Sequence, residues 1–154
     1  MNIENLKLIN VDLTEIRKVR KKVLYKNLSD DFSIYDSDNL STTKHFGLLD
    51  SGNILSVMTI IDKILIFKQG YKSLQIRGMA TLERFQKRGY GTILLKKAIS
   101  NIYHQNNYDF IWCNARKDAI RFYTINNFTP VGDEFTINKI GIHKLLYRKI
   151  RNER

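Results

Sequence analysis

The feature that most constrains this chain is a change of hydrophobic period around residues 83–92. Leu74 to Leu82 reads as a strand. The segment Glu83-Arg84-Phe85 leads into Gln86-Lys87-Arg88-Gly89-Tyr90-Gly91-Thr92. From near Gly89 onward Ile93, Leu94, Leu95, Ala98, Ile99 and Ile102 recur at helical spacing, and Tyr108 to Ala115 is again a short, buried-type strand. A strand, a crossover helix and a second strand in one sheet imply a parallel pair. Before this unit, His45 to Leu49, the turn Asp50-Ser51-Gly52, the β-branched run Ile54 to Phe67 and the turn Lys68-Gln69-Gly70-Tyr71 read as an antiparallel meander. The expected fold class is therefore α/β, with a mixed sheet carrying helices on its faces.

The rest of the chain extends this pattern. Residues 3–10 read as a first strand. Asp12 looks like a helix N-cap, with Glu15 three residues on completing a capping-box pattern. Leu13, Ile16, Val19, Val23 and Leu24 recur at helical spacing, with basic residues between them. Residues 28–42 are polar and acidic and read as a loop with one helical turn. Ala119, Phe122 and Tyr123 lie on a second helix after the crossover unit, ending at Asn126-Asn127, where Asn suits a left-handed cap. Val131 to Ile137 and Ile142 to Ile150 close the chain as strands. The predicted order is β-α-β-β-β-α-β-α-β-β.

At 154 residues, one domain with a substantial core is expected, and 43% apolar composition argues against disorder. Cys113 stands alone, so it makes no internal disulfide, and it fits a reducing compartment. The first five residues lack the basic and apolar regions of a signal peptide. The longest apolar-rich stretch, Ile54 to Phe67, is broken by Ser56, Asp62 and Lys63 and is too short to cross a bilayer. The expectation is a soluble cytoplasmic protein with no membrane partner.

A net charge of +11 admits three readings: a solvated basic surface, attraction of an anionic small ligand, or nucleic-acid binding. Arg17-Lys18, Arg20-Lys21-Lys22 and Arg148-Lys149 with Arg151 would serve the last, but no nucleic-acid module accompanies them. The loop Gln86–Gly91 favours the second. The first turn of a helix presents unpaired N–H groups and a partial positive charge. Gly89 and Gly91 remove Cβ atoms that would keep a phosphate off the backbone, and Lys87 and Arg88 add charge. A ligand-free basic turn is the alternative. The spacing is neither a Walker loop nor a dinucleotide fingerprint.

Gln86-Lys87-Arg88-Gly89-Tyr90-Gly91 resembles the Gln/Arg-x-x-Gly-x-Gly/Ala signature of GNAT (GCN5-related) N-acetyltransferases, with every defined position filled. Arg77 to Leu82 looks like that family's fourth strand. Ala119-Ile120-Arg121-Phe122-Tyr123-Thr124-Ile125-Asn126-Asn127-Phe128 is similar to its Ala-Ile-x-Phe-Tyr-x-x-x-Gly-Phe block, with Asn127 in place of Gly. The tail Pro130-Val131-Gly132-Asp133-Glu134-Phe135, followed by Gly141-Ile142-His143, is similar to that of a small bacterial subset of uncharacterised or ElaA-like members. The resemblance spans about residues 43–150 and implies the GNAT fold, with a split between the fourth and fifth strands. It implies acetyl-CoA as cosubstrate, held by main chain at Met79, Ala80 and Thr81, by Gln86, Lys87, Arg88, Gly89, Tyr90, Gly91 and Thr92, and by Asn114. Many members carry Asn where this chain has Arg116; Asn114 lies two residues earlier.

The same resemblance implies direct attack of a primary amine, of a small molecule or peptide, on the acetyl thioester in a ternary complex. Tyr123 matches the general acid that protonates the leaving thiolate; core packing beside Phe122 is the competing role. Many members use a Glu base near the fourth strand, where this chain has Arg77 and Gly78. His143, His45 and Glu134 remain, and His143 is the candidate by its intrinsic pKa, against a purely structural histidine. Cys113, among Phe110, Ile111 and Trp112, reads as a buried packing thiol rather than a nucleophile. No His/Cys/Asp cluster has metal-ligand spacing, so no metal is expected. A non-catalytic acyl-CoA sensor on the same fold is the second functional reading. The acceptor and the oligomeric state, including a homodimer, stay open.

Overall fold

The structure, a computed structural model, describes residues 5–105 and 108–150. The strands form a mixed seven-stranded sheet in the order β1-β2-β3-β4-β5-β7-β6. They are β1 (Lys7–Asn10), β2 (Lys44–Asp50), β3 (Asn53–Asp62), β4 (Ser73–Thr81), β5 (Phe110–Arg116), β6 (Thr129–Ile137) and β7 (Gly141–Lys149). The α-helices are α1 (Leu13–Leu24), α2 (Tyr90–Gln105) and α3 (Ile120–Ile125). This is the predicted element order. The chain divides into two compact units: Met1–Ile61 with Arg77–Ile102, and Asp62–Ile76 with Tyr103–Arg154. Strand β4 thus begins in the second unit and ends in the first.

In the first unit, β1 pairs antiparallel with β2, and β2 with β3. The β2–β3 hairpin turns through Ser51 and Gly52, both at positive φ (46° and 83°), as a tight two-residue connection requires. Asp12 caps α1: its carboxylate accepts the Glu15 amide at 3.0 Å. Ile16 and Val19 bury the inner face of α1 against Val11, Val57 and Ala80. Each such side chain contributes roughly 1.5–3 kcal/mol by leaving water. Not every basic residue of α1 faces solvent, however. Arg20 is fully buried and makes a bidentate pair with Asp38, both contacts 2.9 Å. Asp38 lies in the segment expected to be one loop with a single helical turn. That segment holds two 3-10 turns, Asp30–Ser33 and Asp36–Asn39, and the second carries Asp38 inward.

A stability test follows from this pair. Burial alone would raise the Asp38 carboxyl, but the Arg20 guanidinium and the Tyr35 amide outweigh it and hold it below its ordinary value. The carboxylate therefore stabilises the fold above the unfolded-state value of about 4. That contribution is lost as pH falls through the depressed folded value. Asp38→Asn leaves the Arg20 charge buried without its counter-ion, so a loss of about 3–5 kcal/mol is expected at pH 7. Urea denaturation at pH 7 and in acid should show the gap between wild type and variant narrowing in acid.

In the second unit, β4 pairs parallel with β5, and β7 pairs antiparallel with both β5 and β6. Its core gathers Leu65, Phe110 and Trp112, with Leu145 and Tyr147 packed against them. The long run Ile54 to Phe67 is not one strand. β3 ends at Asp62, and Ile66–Lys68 forms a 3-10 turn. Lys63 donates its amide to the Ser73 carbonyl (3.2 Å), Leu65 donates its amide to Ser73 Oγ (2.7 Å), and Trp112 Nε1 donates to the Lys63 carbonyl (3.0 Å). These bonds draw the chain out of the strand direction. The first strand is shorter than read, beginning at Lys7; Ile3 lies outside the described residues.

Candidate active site

The Gln86–Gly91 loop joins the end of β4 to α2 inside the first unit. A 3-10 turn at Glu83–Phe85 precedes it. Lys87 and Gly89 both adopt positive φ, 59° and 81°, with Arg88 between them outside that region. Such alternation turns successive amides to one side and makes an anion-binding concavity. The first helical bond of α2 runs from the Ile93 amide to the Gly89 carbonyl at 3.1 Å, so the amides of Tyr90 and Gly91 lie ahead of the ladder. A Cβ on Gly89 would meet nothing within 4 Å. Conformation, not crowding inside the chain, is what demands glycine there. Gln86 Nε2 donates to the Thr81 carbonyl at 2.9 Å and ties the loop back to β4. Lys87 and Arg88 are exposed and make no ion pair among the described residues. The donor set and the charge fit a pyrophosphate.

The adjoining edge of β4 matches the expected split. The β4–β5 ladder contains Ser73↔Phe110, Leu74↔Ile111, Gln75↔Trp112 and Ile76↔Cys113, and stops there. β4 runs on through Arg77, Gly78, Met79, Ala80 and Thr81 without pairing to β5. Leu82 donates its amide to the Leu55 carbonyl at 3.0 Å. By the alternation of a strand, the peptide groups of Thr81 then face away from β3. The Thr81 carbonyl is taken by Gln86, so its amide is the group left for a ligand. The same alternation turns the Ala80 peptide groups toward β3, and its side chain belongs to the core, so Ala80, expected as a contact, offers this edge neither.

Asn114, Tyr123 and His143 belong to the second unit. Asn114 is an exposed residue of β5, just past the last ladder pair with β4. Tyr123, on the short helix α3, is 6% exposed, packs edge-on to Phe122 and Phe128, and shares a hydrogen bond with the Cys113 thiol. Burial, then the thiol, push the phenol well above its ordinary pKa, so it keeps its proton at neutral pH. Burial likewise pushes the Cys113 thiol up, against the bonds from Tyr123 and Leu146, and leaves it un-ionised and un-nucleophilic. The helix closes as read: Asn126 caps it and Asn127 is left-handed at φ 66°.

His143 is 5% exposed, stacks on Phe135 (5.9 Å between centroids) and lies in register with Arg116. Its Nδ1 sits 2.8 Å from the Gly141 carbonyl, which can only accept. Nδ1 therefore carries the proton, and in the neutral ring Nε2 holds the lone pair. His45, in the first unit, is engaged at both nitrogens: Nδ1 with Thr59 Oγ1 at 2.8 Å and Nε2 with the Asp38 carbonyl at 3.0 Å. It serves the buried Arg20–Asp38 network. Glu134 pairs with Lys117 at 3.6 Å. Among the described residues no group of three or more His, Cys, Asp or Glu is placed to hold a metal.

One arrangement went unread in the sequence. Tyr35 holds the guanidinium of Arg20 at 3.8 Å and that of Arg77 at 4.1 Å from its ring centroid, and its hydroxyl meets that of Tyr25 at 2.8 Å. Gly78 follows at φ 57°; a Cβ there would lie 2.7 Å from Arg20 Nε and 2.9 Å from the Tyr35 hydroxyl. Only the glycine between two strand-forming stretches hinted at this irregularity.

The chain is similar to an uncharacterized N-acetyltransferase of Bacillus subtilis, YitI, at 24% identity over 149 residues, covering 97% of this chain and 99% of that one. Its fold is similar to that of FeeM, an N-acyl amino acid synthase from uncultured soil microbes (TM-score 0.77, 10% identity, 94% and 91% of the two chains). It is also similar to the ribosomal-protein-S18-alanine N-acetyltransferase from Escherichia coli (TM-score 0.71, 14% identity, 97% and 96%). The sequence model of the acetyltransferase (GNAT) family matches residues 13–128, which takes in α1, β4, the Gln86–Gly91 loop and α3, and the chain belongs to that family.

Proposed function

We propose that this protein transfers the acetyl group of acetyl-CoA to a primary amine by direct attack in a ternary complex. Membership of the family supports amine acetylation in general terms. The observation that carries the finer reading is the loop at 86–91. It combines left-handed Lys87 and Gly89, two cations and a helix N-terminus, directly after a strand edge that leaves its ladder at Ile76. In this reading the loop binds the pyrophosphate, and the peptide groups of Met79 and Thr81 hold the pantetheine arm. A lysine-like amine must shed a proton, which costs about 4–5 kcal/mol at pH 7. His143 Nε2, directly or through water, is the acceptor we assign. Tyr123, protonated at neutral pH, donates to the departing thiolate. The lone buried thiol suits a reducing, cytoplasmic setting.

The test is a thiol-release assay with acetyl-CoA against a panel of amines, beside thermal melts with and without acetyl-CoA. We expect a raised Tm with acetyl-CoA and thiol release only when an acceptor amine is present. Absence of any thermal shift or calorimetric binding would sink the proposal. Binding without turnover on any amine would favour the acyl-CoA sensor.

A further inference from the structure

We propose that Arg77 reads a carboxylate on the acceptor, so that the acceptor is an amine bearing a carboxylate near its amino group, in class an α-amino acid. This rests on the acetyl-transfer reading above. Beyond the last β4–β5 pair at Ile76, β4 continues for five residues, Arg77 to Thr81, about 16 Å of strand at ~3.3 Å per residue. An acyl arm anchored at the 86–91 loop and laid along this edge reaches toward Arg77 and Gly78. Residues packed there flank the point where an amine must approach.

That point carries a fixed cation. Arg77 is half-buried and its guanidinium lies on the Tyr35 ring, 4.1 Å from the centroid. Gly78, next to it, stands at φ 57° within the continuous strand, a backbone irregularity of the kind found beside functional sites. The two cations on Tyr35 differ in one respect. Arg20 is neutralised by Asp38 at 2.9 Å. Arg77 has no carboxylate within ion-pair distance among the described residues. The acidic 28–42 segment does not answer it, since Asp38 is spent on Arg20 and Asp30 pairs with Lys21 at 3.5 Å.

A half-buried cation without a counter-ion carries a desolvation cost that an incoming anion relieves. The planar guanidinium, held by stacking, presents a fork that matches a carboxylate. Polycationic acceptors, by the same charge, are disfavoured.

The test compares each amino acid with its decarboxylated amine, for instance leucine with isoamylamine and phenylalanine with phenethylamine, over all twenty side-chain types. With wild type the carboxylate-bearing member should be preferred by about tenfold or more in kcat/KM, mainly through KM. Arg77→Gln should bring the ratio toward one, and Arg77→Lys should keep part of it. Calorimetry with acetyl-CoA runs in parallel. Loss of acetyl-CoA binding in wild type itself would overturn the underlying acetyl-transfer reading. If acetyl-CoA binds, three results overturn the carboxylate proposal alone: amines used without regard to the carboxylate, an unchanged ratio in Arg77→Gln, or no carboxylate-bearing amine accepted.

Discussion

Gly91→Glu should reduce acetyl-CoA affinity by about a hundredfold or more while leaving the fold intact. Gly91 is the second residue of α2 and, unlike Gly89, has no positive φ. An L side chain is therefore tolerated by the backbone. A carboxylate in the first helical turn even gains from the helix dipole, by about 0.3–1 kcal/mol. The substitution thus separates binding from folding. The new carboxylate occupies the field that Lys87, Arg88 and the free amides direct at an anion, and it repels a pyrophosphate across the same few ångströms. Like charges brought together in a binding site cost several kcal/mol, and each ~1.4 kcal/mol is a factor of ten. Calorimetric titration with acetyl-CoA, paired with thermal unfolding of the ligand-free protein, reads both quantities. Wild-type affinity in the variant would mean that the pyrophosphate sits elsewhere. Gly89→Glu would not serve as well, because its φ of 81° adds backbone strain to whatever the charge does.

Local chemistry made this loop legible. Two glycines, two cations and a switch from strand to helical period all lie within a short stretch, and each has a direct conformational meaning. Asp12 and Asn127 were legible for the same reason: capping is decided by the residue and its immediate neighbours. What the sequence hid is non-local. Arg20 looked like one more solvated cation between apolar helix positions, and Asp38 like part of an acidic surface loop. Their pairing spans eighteen residues and is visible only once α1 and the second 3-10 turn are folded together. The run Ile54 to Phe67 misled in the opposite way. Its β-branched composition persists past Asp62, but Ser73 and Trp112 bond to Lys63 and Leu65 and take the chain out of the sheet. Periodicity reports burial, and Leu65 is indeed buried, at 1% exposure, without being in a strand. The Arg77–Tyr35 stack combines both difficulties, since neither a basic residue in a strand nor a tyrosine in an acidic loop announces the other.

Tyr123→Phe should slow the chemical step by about 10²-fold or more, the lower part of the range for a general acid. The phenol is buried beside Phe122 and Phe128, and those ring contacts survive loss of the hydroxyl. Its proton is retained at neutral pH because burial and the Cys113 thiol both disfavour the phenolate. A donor of this kind needs no ionisation to meet a thiolate, and it acts mainly as charge develops, so acetyl-CoA affinity should change little. The bond to Cys113 offers a competing account, in which the hydroxyl merely fastens α3 to β5. Cys113→Ala distinguishes the two. It removes the thiol partner and leaves the phenol, so a catalytic Tyr123 predicts near-normal turnover in Cys113→Ala and a large loss in Tyr123→Phe. A fastening role predicts similar falls in stability for both variants and no specific loss in single-turnover rate. Rapid-quench measurement of acetyl transfer on an accepted amine, with unfolding curves for both variants, decides between them. Equal single-turnover rates for Phe and Tyr at position 123 would reduce this residue to a core aromatic.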